Sequence, residues 1–190
     1  KDKELFVDAA LAVLVLALRA GMPGLISEVA TSLRLGATSA KASQAQPPAV
    51  LTTAPQFAKV LALLWAHSAE LSAATGGSGL LERRVLESAQ AAGLQVSSVL
   101  GLALQQADLG AHPEAAEQAV GLADAYAGSG DVGALNDVVV QQCLGSGQVD
   151  YIKEQLPGWL EQHPNWVPSQ AACSALVQAL GPEQATALVY

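Results

Sequence analysis

The chain has 190 residues, of which 51% are apolar and only 4% aromatic, and its net charge is −8. This length suffices for one compact domain or a short array of repeats. Alanine, leucine and glutamine are abundant and few stretches alternate with period two, so the composition favours an all-α protein over a β-sheet protein. The two cysteines, Cys143 and Cys173, fall in apolar helical runs, which is typical of buried thiols and excludes a cysteine-dense disulfide scaffold.

Charge is divided unevenly along the chain. Residues 1–84 carry eight basic and six acidic side chains, a balance of +2, whereas residues 85–190 carry eleven acidic side chains and one basic one, Lys153, a balance of −10. Binding to a nucleic-acid backbone requires several lysines or arginines. The acidic C-terminal half therefore disfavours RNA as a partner, although it does not exclude it.

Glycines and prolines separate the predicted helices. They predict a first helix pair in residues 1–36, a linker or inserted loop over residues 37–55, and stacked helix pairs over residues 56–190, the last pair being incomplete. Ser97 or Ser98 is the predicted N-cap of one helix, and Pro157 predicts a kink or break after Leu156. The predicted helices cover residues 8–21, 22–36, 55–71, 80–93, 96–110, 112–130, 131–147, 148–163, 167–181 and 182–190.

The most apolar run lies in the first predicted helix. Its longest uncharged part, Ala9 to Leu18, has ten residues and is bracketed by Asp8 and Arg19. A membrane-spanning helix needs about 20 apolar residues. The sequence therefore predicts no membrane span, and a helix that is buried in protein.

The glycines that close the later helices recur at a regular spacing. The intervals are 34 residues from Gly76 to Gly110, 37 from Gly110 to Gly147, and 34 from Gly147 to Gly181, and each interval carries two helices. A period of this length is typical of helix-pair repeats, which bury their apolar faces by stacking on their neighbours. The sequence predicts a right-handed α-solenoid of stacked antiparallel helix pairs.

One family pattern accompanies this period near the C-terminus. The segment NDVVVQQCLGSGQVDYIKEQLPGWLEQHPNWVPS resembles a pentatricopeptide repeat, with Val139-Val140 as the apolar pair, Ser146-Gly147 as the turn and Pro168 as the late proline. The next segment resembles the start of a following unit, with Leu176-Val177 in the role of the pair. The resemblance covers residues 131–190, and tetratricopeptide-type repeats share the same architecture.

The resemblance implies a fold, a ligand and a location. In pentatricopeptide-repeat proteins a residue of the first helix and a residue at the end of the unit contact an RNA base, and the corresponding positions here are Asp137, or Asn136 with a one-residue shift, and Ser174. Family members are largely mitochondrial or chloroplast proteins, and some are structural parts of organellar assemblies. Outside the resemblance, the default expectation is a cytoplasmic protein.

No pattern in the sequence indicates a reaction. The three histidines are far apart in sequence, and TGGSG at residues 75–79 lacks the Lys-Ser/Thr of a phosphate-binding loop. We therefore expect no enzyme activity, no cofactor and no metal site. The candidate partner contacts are the adjacent pair Arg83 and Arg84 and the two tryptophans Trp159 and Trp166, since tryptophan and arginine are enriched at interface hot spots.

Together these observations predict a non-enzymatic helical-repeat scaffold. It would bind protein partners as part of a larger, possibly organellar, assembly. The alternative is an organellar protein that binds single-stranded RNA through its repeats, and an enzyme or enzyme accessory domain is the third hypothesis. The predicted partners are proteins, because the acidic C-terminal half is poorly suited to RNA.

Overall fold

The structure is a computed structural model that describes residues 2–35, 50–75, 79–126 and 132–189. Within these ranges the chain forms eleven α-helices and no β-strand, which confirms the predicted all-α class. The helices are α1 (Asp2–Arg19), α2 (Pro23–Ser32), α3 (Ala54–Ala66), α4 (Ser68–Thr75), α5 (Leu80–Ala91), α6 (Val96–Gln106), α7 (Glu114–Tyr126), α8 (Val132–Gly145), α9 (Val149–Gln162), α10 (Gln170–Leu180) and α11 (Pro182–Val189).

The glycines that set the predicted period lie between helices. Gly110 follows α6, Gly147 lies between α8 and α9, and Gly181 lies between α10 and α11, so this prediction is confirmed. Gly147 has a φ of +83°, a left-handed conformation that glycine adopts without steric penalty. The backbone N–H of Gln148 then donates to the Cys143 carbonyl at 2.8 Å and closes the end of α8. The predicted stop at Gly76 and residues 37–49 of the predicted linker lie outside the described residues.

Helix α9 continues through Pro157, so of the predicted kink or break after Leu156 the break is wrong. Pro157 is exposed, whereas Leu156 and Trp159 beside it are buried in the core. The proline removes one backbone hydrogen bond, but the buried face of the helix still packs on its neighbours. Tertiary packing therefore holds α9 in one piece.

Several other helix boundaries and one N-cap also differ from the sequence prediction. The single helix predicted over residues 55–71 divides into α3 and α4 at His67, although the apolar stripe continues across the division. Helix α3 begins at Ala54, within the predicted linker, and the Gln56 side chain accepts the backbone N–H of Thr53 at 3.2 Å there. Helix α6 begins at Val96, which places Ser97 and Ser98 inside its first turn, so the predicted N-cap is wrong.

The described chain divides into two compact units, Lys1–Ala103 and Leu104–Tyr190. In the first unit α1 packs against α2, α3 and α4, and α3 packs against α4 and α5. Trp65 is fully buried in this unit, as predicted from its apolar stripe. Its core also contains the large buried side chains Leu14, Leu18, Ile26, Phe57, Leu61, Leu64, Leu71 and Leu86.

The second unit has a regular order of helix contacts. Helix α8 packs on α9, and α10 packs on α11, so each successive pair is in contact. In addition α8 packs on α10 and α9 packs on α11, which brings the first helices of the two pairs together and the second helices together. Helix α7 packs on α8 and buries four alanines, Ala115, Ala116, Ala119 and Ala123. Such small side chains let helix axes approach closely.

Helix α1 is apolar on two sides. Val7, Leu11, Leu14 and Leu18 are buried against the first unit. A second apolar stripe remains exposed on the other side, whereas the sequence predicted a helix buried in protein. We call this stripe the α1 outer face, and it consists of Leu5, Phe6, Ala9, Ala12, Val13, Leu16 and Ala20. Among the described helices none is both long and apolar enough to cross a bilayer.

Candidate functional site

The structure brings two of the predicted site residues, Asp137 and Trp166, into one open groove of the second unit. The groove has a volume of about 600 Å³ and lies between the start of α8 and the loop that joins α9 to α10. Val167 at its rim has 80% of its surface exposed. We call it the loop groove, and its lining residues are Gly133, Ala134, Asp137, Gln162, His163, Pro164, Asn165, Trp166 and Val167.

Two contacts with α8 hold the loop of this groove in place. The Asp137 carboxylate accepts a hydrogen bond from the backbone N–H of Ser169 at 3.0 Å. One turn earlier, the Trp166 ring lies so close to Gly133 that a Cβ on this glycine would be 2.8 Å from the ring. Residues four apart share one face of a helix, so Gly133 and Asp137 together form the surface of α8 on which the loop packs. The Trp166 indole N–H is buried and has no hydrogen-bond partner among the described residues.

Replacing Asp137 with alanine is expected to loosen the loop. It removes the acceptor of a partly buried backbone N–H, which costs about 1–2 kcal/mol of unfolding free energy. Asp137→Asn keeps an amide oxygen at this position and is expected to lose clearly less. Urea denaturation of both variants measures the difference, with Asp124→Ala, an exposed acid on α7, as the control. If Asp137→Ala and Asp124→Ala were equally stable, the hydrogen bond between Asp137 and Ser169 would contribute nothing to the unfolding free energy.

The other candidate RNA contacts lie apart from each other. Asn136 is fully buried in α8, and neither atom of its side-chain amide has a hydrogen-bond partner among the described residues. Of the two alternative first-helix positions, Asp137 is therefore the one that reaches the surface. Ser174 is exposed on α10 in a separate shallow depression between α8 and α10. Its lining is free of charge: Gln141, Leu144, Gly145, Ala171, Ser174, Ala175, Gln178 and Ala179.

The remaining candidate partner contacts are divided between core and surface. Trp159 is buried, and its ring meets the Tyr151 ring edge-on with centroids 6.2 Å apart. Arg83 and Arg84 are exposed on α5 in the first unit. Arg84 borders an apolar depression of about 170 Å³ that includes Ile26, Leu71 and Leu80. The two arginines belong to the first unit and the two tryptophans to the second, and within the second unit Trp159 is buried whereas Trp166 lines the loop groove.

The titratable groups with shifted pKa values lie outside the loop groove. Burial raises the pKa of the Glu82 carboxyl, and the backbone N–H groups of Glu82 and Gly79 partly offset this. Burial also raises the pKa of the Cys143 thiol to about 12, which keeps it protonated and unreactive. The predicted burial of both thiols holds for Cys143, whereas Cys173 is half-exposed.

Each histidine has its own local surroundings. Nδ1 of His67 lies 3.6 Å from Oε1 of Glu70, and Nδ1 of His112 lies 3.6 Å from Oε1 of Glu114. His163 lines the loop groove. Among the described residues no three His, Cys, Asp or Glu side chains are grouped as metal ligands.

Sequence reasoning missed Gly133, His163 and Val167 as groove residues. The segment HPNWVPS between α9 and α10 could have indicated the groove, because its two prolines flank an aromatic and an apolar residue in a loop, where binding residues are frequent. The glycine had no such signal, since its role depends on which ring lies above it. In comparisons with known proteins, no family model matches the chain, and no curated protein and no solved structure is significantly similar to it.

Proposed function

We propose that this chain is a non-enzymatic helical-repeat scaffold that binds protein partners. The observation that carries the proposal is the order of contacts in the second unit, where α8–α9 and α10–α11 pack as pairs and like helices of the two pairs pack together. This order is what stacked repeats of an α-solenoid require. Two features of the sequence also support the proposal: the regular spacing of the glycines and the pentatricopeptide resemblance of residues 131–190. By that resemblance the assembly would be mitochondrial or chloroplast.

The loop groove is the proposed contact for a protein partner. Val167 and the edge of Trp166 supply an apolar anchor point, while Asp137 supplies a negative charge in the groove. The whole second unit has one basic residue, Lys153, among its acids. Such a surface suits a segment with an apolar side chain flanked by lysine or arginine. We therefore expect a basic protein segment as the ligand.

A photo-crosslinking experiment tests this assignment. Benzoylphenylalanine at position 167 is expected to form discrete protein adducts in an extract of the source cells, because the side chain is exposed at the rim of the groove. The matched control is the same residue at position 184, which is exposed on α11 and away from the groove. Adducts should weaken as salt rises, since the partner is attracted by charge. Equal labelling at both positions would contradict the assignment.

Single-stranded RNA binding is the second candidate function. It is favoured by the depression between α8 and α10, where Ser174, Gln141 and Gln178 offer polar side chains on neighbouring first helices. No lysine or arginine lines this depression, so a backbone contact there lacks a cation. Fluorescence anisotropy with a labelled single-stranded RNA separates the two functions. RNA binding that falls steeply with salt and is lost in Ser174→Ala would favour the RNA function over the scaffold.

A further inference from the structure

The α1 outer face is the largest group of exposed apolar side chains on one described helix. Leu5, Leu16, Phe6 and Val13 are 72%, 64%, 48% and 39% exposed. The opposite side of the same helix is already occupied, since Val7, Leu11 and Leu14 are buried in the first unit. A helix that is apolar on both sides is normally covered on both sides. The outer face therefore requires an occupant.

The order of residues on this face fits a second copy of the same helix. If two α1 helices lie antiparallel with a two-fold axis between Ala12 and Val13, three of the four large side chains of the face meet an alanine of the other copy. Leu5 then lies opposite Ala20, Leu16 opposite Ala9, and Val13 opposite Ala12. Alternating large and small residues interdigitate well across a helix interface. A parallel arrangement would instead place each large residue opposite itself.

The charges along one edge of the face select the same orientation. Glu4, Asp8 and Arg19 are exposed and fall on one edge at helical spacing. In the antiparallel arrangement Arg19 of one copy lies between the levels of Glu4 and Asp8 of the other, so opposite charges are adjacent. In a parallel arrangement the charged edges of the two copies would lie on opposite sides of the seam, so Arg19 would gain neither acidic neighbour from this edge. Asp8 also pairs with Lys59 of α3, which fixes the carboxylate at this edge.

We propose that two copies of this chain associate through the α1 outer face as an antiparallel, two-fold symmetric helix pair. The proposal is independent of the scaffold function, because it concerns the first unit and not the loop groove. Stable dimers usually bury roughly 800 Å² per partner, and one helix face supplies less than that. The dimer is therefore expected to be concentration-dependent, with dissociation in the micromolar range or weaker.

Sedimentation velocity over a concentration series tests the association. The wild-type chain is expected to shift from monomer to dimer, and Leu16→Asp is expected to weaken the dimer by roughly tenfold or more, because it places two carboxylates in an apolar seam. Leu16 is exposed in the single chain, so circular dichroism should show unchanged helix content. Val177→Asp, the matched control at an exposed apolar position of α10, should dimerise like the wild type.

A charge exchange tests the edge contacts. Arg19→Glu is expected to weaken dimerisation at low salt and to differ less from the wild type at high salt, because the edge charges are exposed. Adding Glu4→Arg to Arg19→Glu should restore part of the loss, since the attraction is recreated with reversed signs. No recovery in the double variant would contradict the antiparallel arrangement.

Disulfide trapping distinguishes the orientations directly. In a Cys173→Ser background, Ala12→Cys is expected to form an intermolecular disulfide under mild oxidation, because the two copies of position 12 lie beside the axis. Leu5→Cys should not, because its two copies would be about 22 Å apart at about 1.5 Å per residue. Equal trapping at both positions, or a wild-type chain that remains monomeric throughout the concentration series, would overturn the proposal.

Discussion

Replacing Leu176 with aspartate is expected to unfold the C-terminal helices of the second unit. Leu176 is only 1% exposed, and α10 carries contacts to both α8 and α11. The substitution removes a buried leucine and forces a carboxylate into the space it occupied, at a cost of about 4 kcal/mol or more. Since a domain of this size is stable by only about 5–15 kcal/mol, this cost removes a large share of the unfolding free energy of the unit, and its C-terminal helices should melt at a much lower temperature.

A thermal melt followed by circular dichroism measures this effect. The matched control is Val177→Asp, the same substitution at the next residue of the same helix, where 44% of the side chain is exposed. The control should shift the melt by a small amount, because its carboxylate remains in water. If both variants melted like the wild type, the burial of Leu176 would be contradicted.

Replacing Pro157 with alanine is expected to stabilise the protein. Pro157 lies inside α9, is exposed, and leaves the Lys153 carbonyl without its helical hydrogen bond. Alanine restores this bond and removes the clash of the proline ring with the preceding turn, without disturbing the buried Leu156 and Trp159. The expected gain in unfolding free energy is about 1–3 kcal/mol.

The control for this prediction is Pro182→Ala. Pro182 is the first residue of α11, where its missing N–H has no helical partner in any case. This variant is expected to be neutral or slightly destabilising, as judged by urea denaturation beside Pro157→Ala. Equal effects of the two substitutions would show that the position of the proline within the helix does not matter, against the structure of α9.

The helices of this protein follow closely from its sequence, and their exceptions have physical causes. Gly147 and Gly181 mark helix ends because a left-handed backbone conformation costs other residues energy. The predicted alternative of a break at Pro157 is wrong because local propensity counts the lost hydrogen bond but not the buried face of the helix that compensates for it. The sequence does not reveal the division between α3 and α4 at His67, because apolar residues continue at helical spacing on both sides of it.

The candidate site is harder to predict from the sequence than the helices are, since it depends on which helices are neighbours. Asp137 and Trp166 were identified from the sequence, but their meeting around α8 depends on the path of the loop between α9 and α10. Asn136 and Trp159 have the residue types of a contact surface and are buried instead, because periodicity does not reveal which neighbour covers a face. For the same reason the sequence did not predict that the α1 outer face is exposed, since two apolar sides of one helix give a nearly continuous apolar run.

The order of helix contacts in the second unit also bears on how this part of the chain folds. Helices α8 to α11 make their main contacts with helices one or two places away along the chain. Short chain segments close such contacts with little loss of loop entropy, so folding can start locally and spread from one pair to the next. Helix α11 has eight residues, packs on α9 and α10, and buries the side chain of Ala185. Because it is short and buries little apolar surface, we expect it to be the first of these helices to fray when the unit is stressed.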